Sequence, residues 1–143
     1  MIVLSGEAVE AIRRHGGAGY PRECCGALIG RVADSGDREV KEAWPLTNAA
    51  AATPERRFTV APEDYRRAEA RAAASGSTLL GFYHSHPDAP ARPSLEDLAH
   101  AWPNLDYIIV SIMRGQAEEI SCWRLREDRS GFDREDMTWP TAS

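Results

Sequence analysis

Cysteine is scarce in this 143-residue chain, and the three present are poorly placed for bridging. Cys24 and Cys25 are sequence neighbours, a spacing that disulfide geometry disfavours, and Cys122 leaves an odd count. A disulfide framework is excluded, and the Cys-x-x-Cys pairs of structural zinc modules are missing. Long apolar runs are missing too. The longest, Tyr107 to Met113, falls far short of the ~20 residues that a membrane-spanning helix needs. Met1 to Glu10 has no basic start, and Glu7 and Glu10 interrupt the place where a secretory signal would be apolar. The expectation is a cytoplasmic protein with reduced thiols and no membrane partner. Positive charge is also in deficit. Seventeen basic residues against 22 acidic ones leave a net charge of −5, which offers no electrostatic basis for nucleic-acid binding. Arg66, Arg67 and Arg71 read instead as a solvated helix face. Of the 43% hydrophobic residues, 22 positions are alanine, so the large apolar side chains are concentrated in a few short runs that become the core. The length is that of one domain, long enough to bury roughly two-thirds of its unfolded surface.

Those runs alternate between two periods. Ile2 to Leu4 reads as a strand, and Ser5 caps a helix with Ala8, Val9 and Ile12 on one side that Gly16 and Gly17 end. Cys24 to Val32 and Arg38 to Leu46 flank the turn Asp34-Ser35-Gly36-Asp37 as a hairpin. Asn48 to Pro54 reads as a loop, and Arg57 to Val60 as a strand. Pro62, acidic Glu63 and Asp64, and Gly76 mark both ends of a helix. Thr78 to Tyr83 is a strand, Ser94 to Trp102 a short helix, Asp106 to Met113 a central strand apolar on both faces, and Glu119 to Arg126 another strand. From Asp128 onward the chain is a polar tail with Phe132 and Trp139 as anchors, which sets the domain at residues 1–127 and the tail at 128–143. Irregular alternation with a hairpin implies an α/β sandwich, a mixed β-sheet flanked by helices.

Chemistry concentrates in Gly81-Phe82-Tyr83-His84-Ser85-His86-Pro87 and Arg92-Pro93-Ser94-Leu95-Glu96-Asp97. Residues two apart on a strand share a face, so His84 and His86 stand about 7 Å apart at Cα with both imidazoles directed the same way. They can share a metal ion. Pro87 places the pair near the strand's end. A catalytic zinc site takes three protein ligands and leaves one position open. Asp97 is the leading third ligand, with Glu96 and His100 as rivals on the same helix. Two imidazoles and a carboxylate also suit ferrous iron or manganese. Ser94-x-x-Asp97 reads equally as a capping box, a role that can coexist with ligation. Cys24 and Cys25 read as packing beside the site rather than as nucleophiles. The His-x-Glu and Pro-Cys-x-x-Cys signatures of zinc deaminases do not occur.

His84-x-His86, ten residues, then Asp97, with Ser94 three positions before the aspartate, resembles the JAMM motif of the MPN-domain metalloproteases. Pro21-Arg22-Glu23-Cys24-Cys25-Gly26 resembles the segment that carries that family's general base. Together the matches span most of Tyr20 to Met113. The resemblance implies an MPN/JAMM fold, a cytidine-deaminase-like sandwich, with one zinc ion held by His84, His86 and Asp97. It implies metal-assisted hydrolysis with Glu23 as general base and Ser94 stabilising the oxyanion. Because the chain is close to the bare domain, it is most similar to small bacterial members. Those act after the C-terminal Gly-Gly of ubiquitin-like sulfur-carrier proteins, trimming a tail or releasing cysteine from a carrier-cysteine adduct. A non-catalytic MPN scaffold and a zinc hydrolase of small amides are the alternatives.

Overall fold

A computed structural model describes residues 1–46 and 62–140, the side chain of Glu96 excepted. The expected loop at Asn48 to Pro54 and strand at Arg57 to Val60 lie outside the described residues. In chain order the elements are β1 (Ile2–Leu4), α1 (Gly6–Gly19), β2 (Cys25–Val32), β3 (Arg38–Leu46), α2 (Pro62–Ala74), β4 (Thr78–Pro87), α3 (Leu95–His100), β5 (Asp106–Met113), β6 (Gln116–Leu125), β7 (Phe132–Glu135) and β8 (Met137–Thr138).

The strands form one mixed sheet in the order β7-β6-β5-β4-β2-β3-β1-β8. The hairpin β2/β3 is antiparallel, as its turn signal requires, and β4 runs antiparallel to β2 but parallel to β5. One sheet face packs on α1 through Val9, Ile12, Leu28, Ile108 and Val110. The other packs on α2 and α3 through Ala68, Phe82, Leu98, Ala101 and Tyr107. The expected mixed sheet covered by helices is therefore what the chain forms. No helix among the described residues is long and apolar enough to cross a membrane.

Two local expectations change. Ser5 does cap α1, its hydroxyl accepting from Ala8 N at 3.1 Å, but the helix continues through Gly16 and Gly17 to Gly19. A Cβ at Gly16 would stand 2.8 Å from Ile112 Cδ1, so this glycine lets the helix approach β5 rather than ending it. The stretch after Glu127, expected as a tail, supplies the strands at both ends of the sheet, β7 against β6 and β8 against β1. Only Asp136 separates them, so the sheet curls until its edges meet. Ile2 N donates to Asp136 O there, at 2.9 Å.

A buried ionic cluster fastens this seam. Arg38 on β3 reaches Asp106 on β5 at 3.4 Å and Glu135 on β7 at 3.5 Å, and Arg124 on β6 reaches Asp106 at 3.2 Å. Burial, then the hydrogen bond with Glu135, push the Asp106 carboxyl up to about 7. Glu135, which burial alone would raise, is held below its ordinary value by that hydrogen bond and by Arg38. A carboxyl whose folded value exceeds its unfolded value of about 3.9 stabilises the fold fully below the latter, and this contribution is lost as pH rises through the former. Asp106→Asn keeps a donor toward Glu135 without a titrating proton. Urea denaturation at pH 5 and pH 8 is expected to show wild type losing about 2–3 kcal/mol more than the variant over that interval. An equal loss in both would contradict this assignment.

Candidate metal centre

β4 runs on past Tyr83 to Pro87, carrying both histidines inside the strand. His84 and His86 continue the row of Phe82 on the face covered by α2 and α3, and are 1% and 7% exposed. Ser85 points the opposite way. Its hydroxyl accepts from Cys24 N at 2.8 Å and its N–H donates to Cys24 O at 3.1 Å, tying the start of β2 to the middle of the His-Ser-His segment.

Asp97 arrives from α3, whose first turn is fixed by a reciprocal cap. The Ser94 hydroxyl accepts from Asp97 N at 3.1 Å and Ser94 N donates to Asp97 Oδ2 at 2.8 Å. Both readings of Ser94-x-x-Asp97 therefore meet in one geometry: the capping contact is what turns the carboxylate toward the strand. Its Oδ1 lies 3.1 Å from His84 Nε2, its Oδ2 lies 3.1 Å from His86 Nε2, and the two Nε2 atoms are 3.1 Å apart. Ligand atoms around four-coordinate zinc, with bonds of about 2.0–2.1 Å, stand about 3.3 Å from one another. The donor set fits such an ion. Two imidazole nitrogens facing each other beside a carboxylate also call for positive charge between them, whether a proton or a cation.

The surrounding groups set the state of each ligand. His86 Nδ1 lies 2.9 Å from Pro90 O, and since a carbonyl can only accept, Nδ1 carries a proton, so Nε2 offers its lone pair when the ring is neutral and donates to Asp97 when the ring is protonated. Burial pushes His86 toward neutrality, but the hydrogen bond and charge of Asp97 outweigh it and raise its proton affinity. Burial likewise works against ionisation of Asp97, yet His84 and the hydrogen bonds from His86 and Ser94 hold its carboxyl far below the usual range.

Glu23 lies two residues before the start of β2, whose Cys25 is the register partner of His84. One of its carboxylate oxygens is shut off from solvent, and its charge contributes to raising His86. Ser94 is exposed, and the bond it accepts from Asp97 N leaves its own O–H proton uncommitted to that contact. Among the described residues, His84, His86 and Asp97 form one metal-competent group. His100, an expected rival, is exposed at the end of α3 and lies outside it; the side chain of Glu96 lies outside the described residues. Burial raises the Cys24 thiol to about 11 and Cys25 further still, so both stay protonated packing groups at neutral pH. Asp106, Cys122 and Glu135 also converge, but Arg38 and Arg124 already supply positive charge there. The residues that sequence reasoning missed are Ser85 and Pro90. The first acts through the back of the strand and the second through a main-chain carbonyl, which has no signature in sequence.

Residues 5–126 match the family of prokaryotic homologues of the JAB domain. The chain belongs to that family. The desampylase of Haloferax volcanii is 37% identical over 113 residues, 76% of this chain and 78% of that protein. A probable TtuB-protein conjugate cleaving protease of Thermus thermophilus is 33% identical over 101 residues, 71% of this chain and 64% of that one. Tail tip assembly protein K of Escherichia phage N15 is 37% identical over 115 residues, and the chain spans only 42% of its length. Among solved structures, a protein from Desulfitobacterium hafniense superposes with a TM-score of 0.84 at 33% identity, covering 99% of this chain and 94% of that one. A JAB1/MPN domain protein of Archaeoglobus fulgidus, at 19% identity and a TM-score of 0.61, covers 97% of each chain and shares the fold.

Proposed function

We propose that this JAB-family chain is a zinc-dependent peptidase or isopeptidase. Its bond is the one that follows the C-terminal Gly-Gly of a ubiquitin-like sulfur-carrier protein, and cutting it trims a tail or releases cysteine from a carrier-cysteine adduct. The observation that carries the reading is the convergence of three side chains, their facing atoms 3.1 Å apart, from a strand and a capped helix, near a glutamate with one solvent-shielded carboxylate oxygen. The names of the Haloferax and Thermus relatives, both cleaving enzymes, support the substrate class. A full ligand set favours hydrolysis over a purely scaffolding role.

His84, His86 and Asp97 would hold the ion, which when bound would supply a Lewis acid and a water acidic enough to ionise near neutral pH. Glu23 accepts the proton lost by the attacking water and returns it to the departing amine. The Ser94 hydroxyl donates to the oxygen on which negative charge develops. A Gly-Gly tail suits the approach because residues without side chains can lie flat against a strand.

The test uses the purified chain with a Gly-Gly-terminated carrier extended by a short peptide, and the same carrier bearing a C-terminal cysteine. Cleavage after Gly-Gly is expected, abolished by a chelator and restored by zinc. Undiminished cleavage in chelator, or hydrolysis of small amides with no action on either carrier, would overturn the proposal.

A further inference from the structure

The stretch from Asp88 to Pro93, between the two histidines and Asp97, lies across β5 and β6 on the same face as the metal centre, and its carbonyls point inward. Ser111 Oγ donates to Ala89 O at 2.6 Å, and Ser121 Oγ donates to Ala91 O at 2.5 Å. The Ser121 hydroxyl is itself oriented, because it accepts from Trp123 Nε1 at 2.7 Å and so must give its proton to Ala91. Ala91 N donates to Glu119 Oε1 at 3.3 Å, and Ala91 is 1% exposed. The carbonyls on both sides of Pro90 are thus fastened to two adjacent strands, while the ring of Pro90 restricts its own φ. The direction of the Pro90 carbonyl follows, and that carbonyl receives the Nδ1 proton of His86. It also accepts from Arg92 N at 2.9 Å, which closes the turn around it.

Register makes the arrangement specific. Ser111 is the β5 partner of His86, and Ser121 is the β6 partner of Ile109 on β5. Both serines are nearly fully buried, at 3% and 1% exposure. On the same face of β5 the preceding positions are Tyr107, whose hydroxyl is engaged with the main chain of Trp102, and Ile109, so a serine enters this row only at Ser111, beneath the Ala89 carbonyl.

We propose that Ser111 and Ser121 are positioning residues for His86: they hold the Ala89–Ala91 carbonyl row so that Pro90 fixes the imidazole's tautomer and ring orientation toward the metal. The proposal rests on the ligand reading above. Outer partners of metal-bound histidines commonly contribute roughly 10- to 100-fold in affinity. A serine that served only to satisfy a buried carbonyl would affect folding without changing the state of His86.

The experiment compares wild type, Ser111→Ala, Ser121→Ala and His86→Ala. Zinc dissociation constants are measured by chelator competition, and the imidazole nitrogen resonances of His86 are recorded by NMR on the metal-free protein. Each serine variant is expected to bind zinc roughly 10- to 100-fold more weakly, with the His86 Nδ1–H signal shifted or exchange-broadened. A lowered melting temperature with unchanged zinc affinity and unchanged His86 resonances would overturn the proposal and leave the ligand assignment standing. Zinc binding by wild type that His86→Ala does not weaken would instead overturn the ligand assignment, and this proposal with it. Should either alanine variant fold poorly, Ser111→Thr, which keeps the hydroxyl, is expected to retain wild-type affinity and resonances.

Discussion

Glu23→Gln is expected to load zinc as wild type does and to cleave a Gly-Gly-terminated carrier roughly 10²–10⁴-fold more slowly, the usual weight of a general base. Glutamine matches the shape of the carboxylate but cannot take a proton from water. Ser85 holds Cys24 at both its N–H and its carbonyl, so the main chain leading into β2 keeps its place in the variant. Removing the negative charge of Glu23 also removes one influence that raises proton affinity at His86. That charge attracts a divalent ion as well as a proton, and because Glu23 lies outside the donor set of His84, His86 and Asp97 its loss is expected to change zinc affinity only modestly. Single-turnover cleavage and metal analysis on the same preparation decide the matter. Full activity in Glu23→Gln would remove the residue from the mechanism, whereas loss of zinc would make it a ligand or a support for one.

Loss of a ligand has a different signature. His86→Ala should lose both zinc and hydrolysis, with affinity falling by more than the roughly 100-fold that marks the upper end for an outer partner. Asp97→Asn separates the two duties of Asp97. An amide oxygen can still accept from Ser94 N and so keep the cap, worth about 1 kcal/mol, but it carries no charge to offset a divalent ion. The variant is expected to melt below wild type when both are metal-free, because the ionised carboxylate's contacts to the histidines are lost, and to show none of the wild type's zinc-induced rise in melting temperature. A zinc-induced rise equal to that of wild type would exclude Asp97 from the ligand set. A large loss of metal-free stability would mean that the ionic contacts to His84 and His86 hold α3 in place more than the cap does.

Much of the site was legible because its pieces are local. The spacing of His84 and His86 states their common face once a strand is granted, and Ser94-x-x-Asp97 states how the helix begins. What spacing left open was whether Asp97, Glu96 or His100 turns inward. The cap turns Asp97 inward, because the bond from Ser94 N to Oδ2 orients the same oxygen that faces His86. Glu23 is harder still. It lies 61 residues before His84 in the chain, and only the pairing of β2 with β4 brings it beside the histidines. The tail misled for a related reason. Phe132 to Thr138 is polar and short, with no alternation that marks a strand by itself, and its two strands exist because partners β6 and β1 are already in place to receive them.

By itself the sequence determined most of the elements before the tail and the chemical types: roughly where those strands and helices fall, that the thiols are unbridged, and that two imidazoles and a carboxylate are available at ligand spacing. Those properties depend on side-chain periodicity and intrinsic reactivity, which act over a few residues. Tertiary structure alone decided how α1 passes through two glycines to reach β5, how the sheet curls until Arg38 meets Asp106 and Glu135, and how Ser111 and Ser121 clamp the loop that aims His86. Each of these joins groups far apart in the chain through close packing or a buried hydrogen bond. Such contacts hold only when both partners arrive together and water is excluded, and no local pattern encodes that meeting.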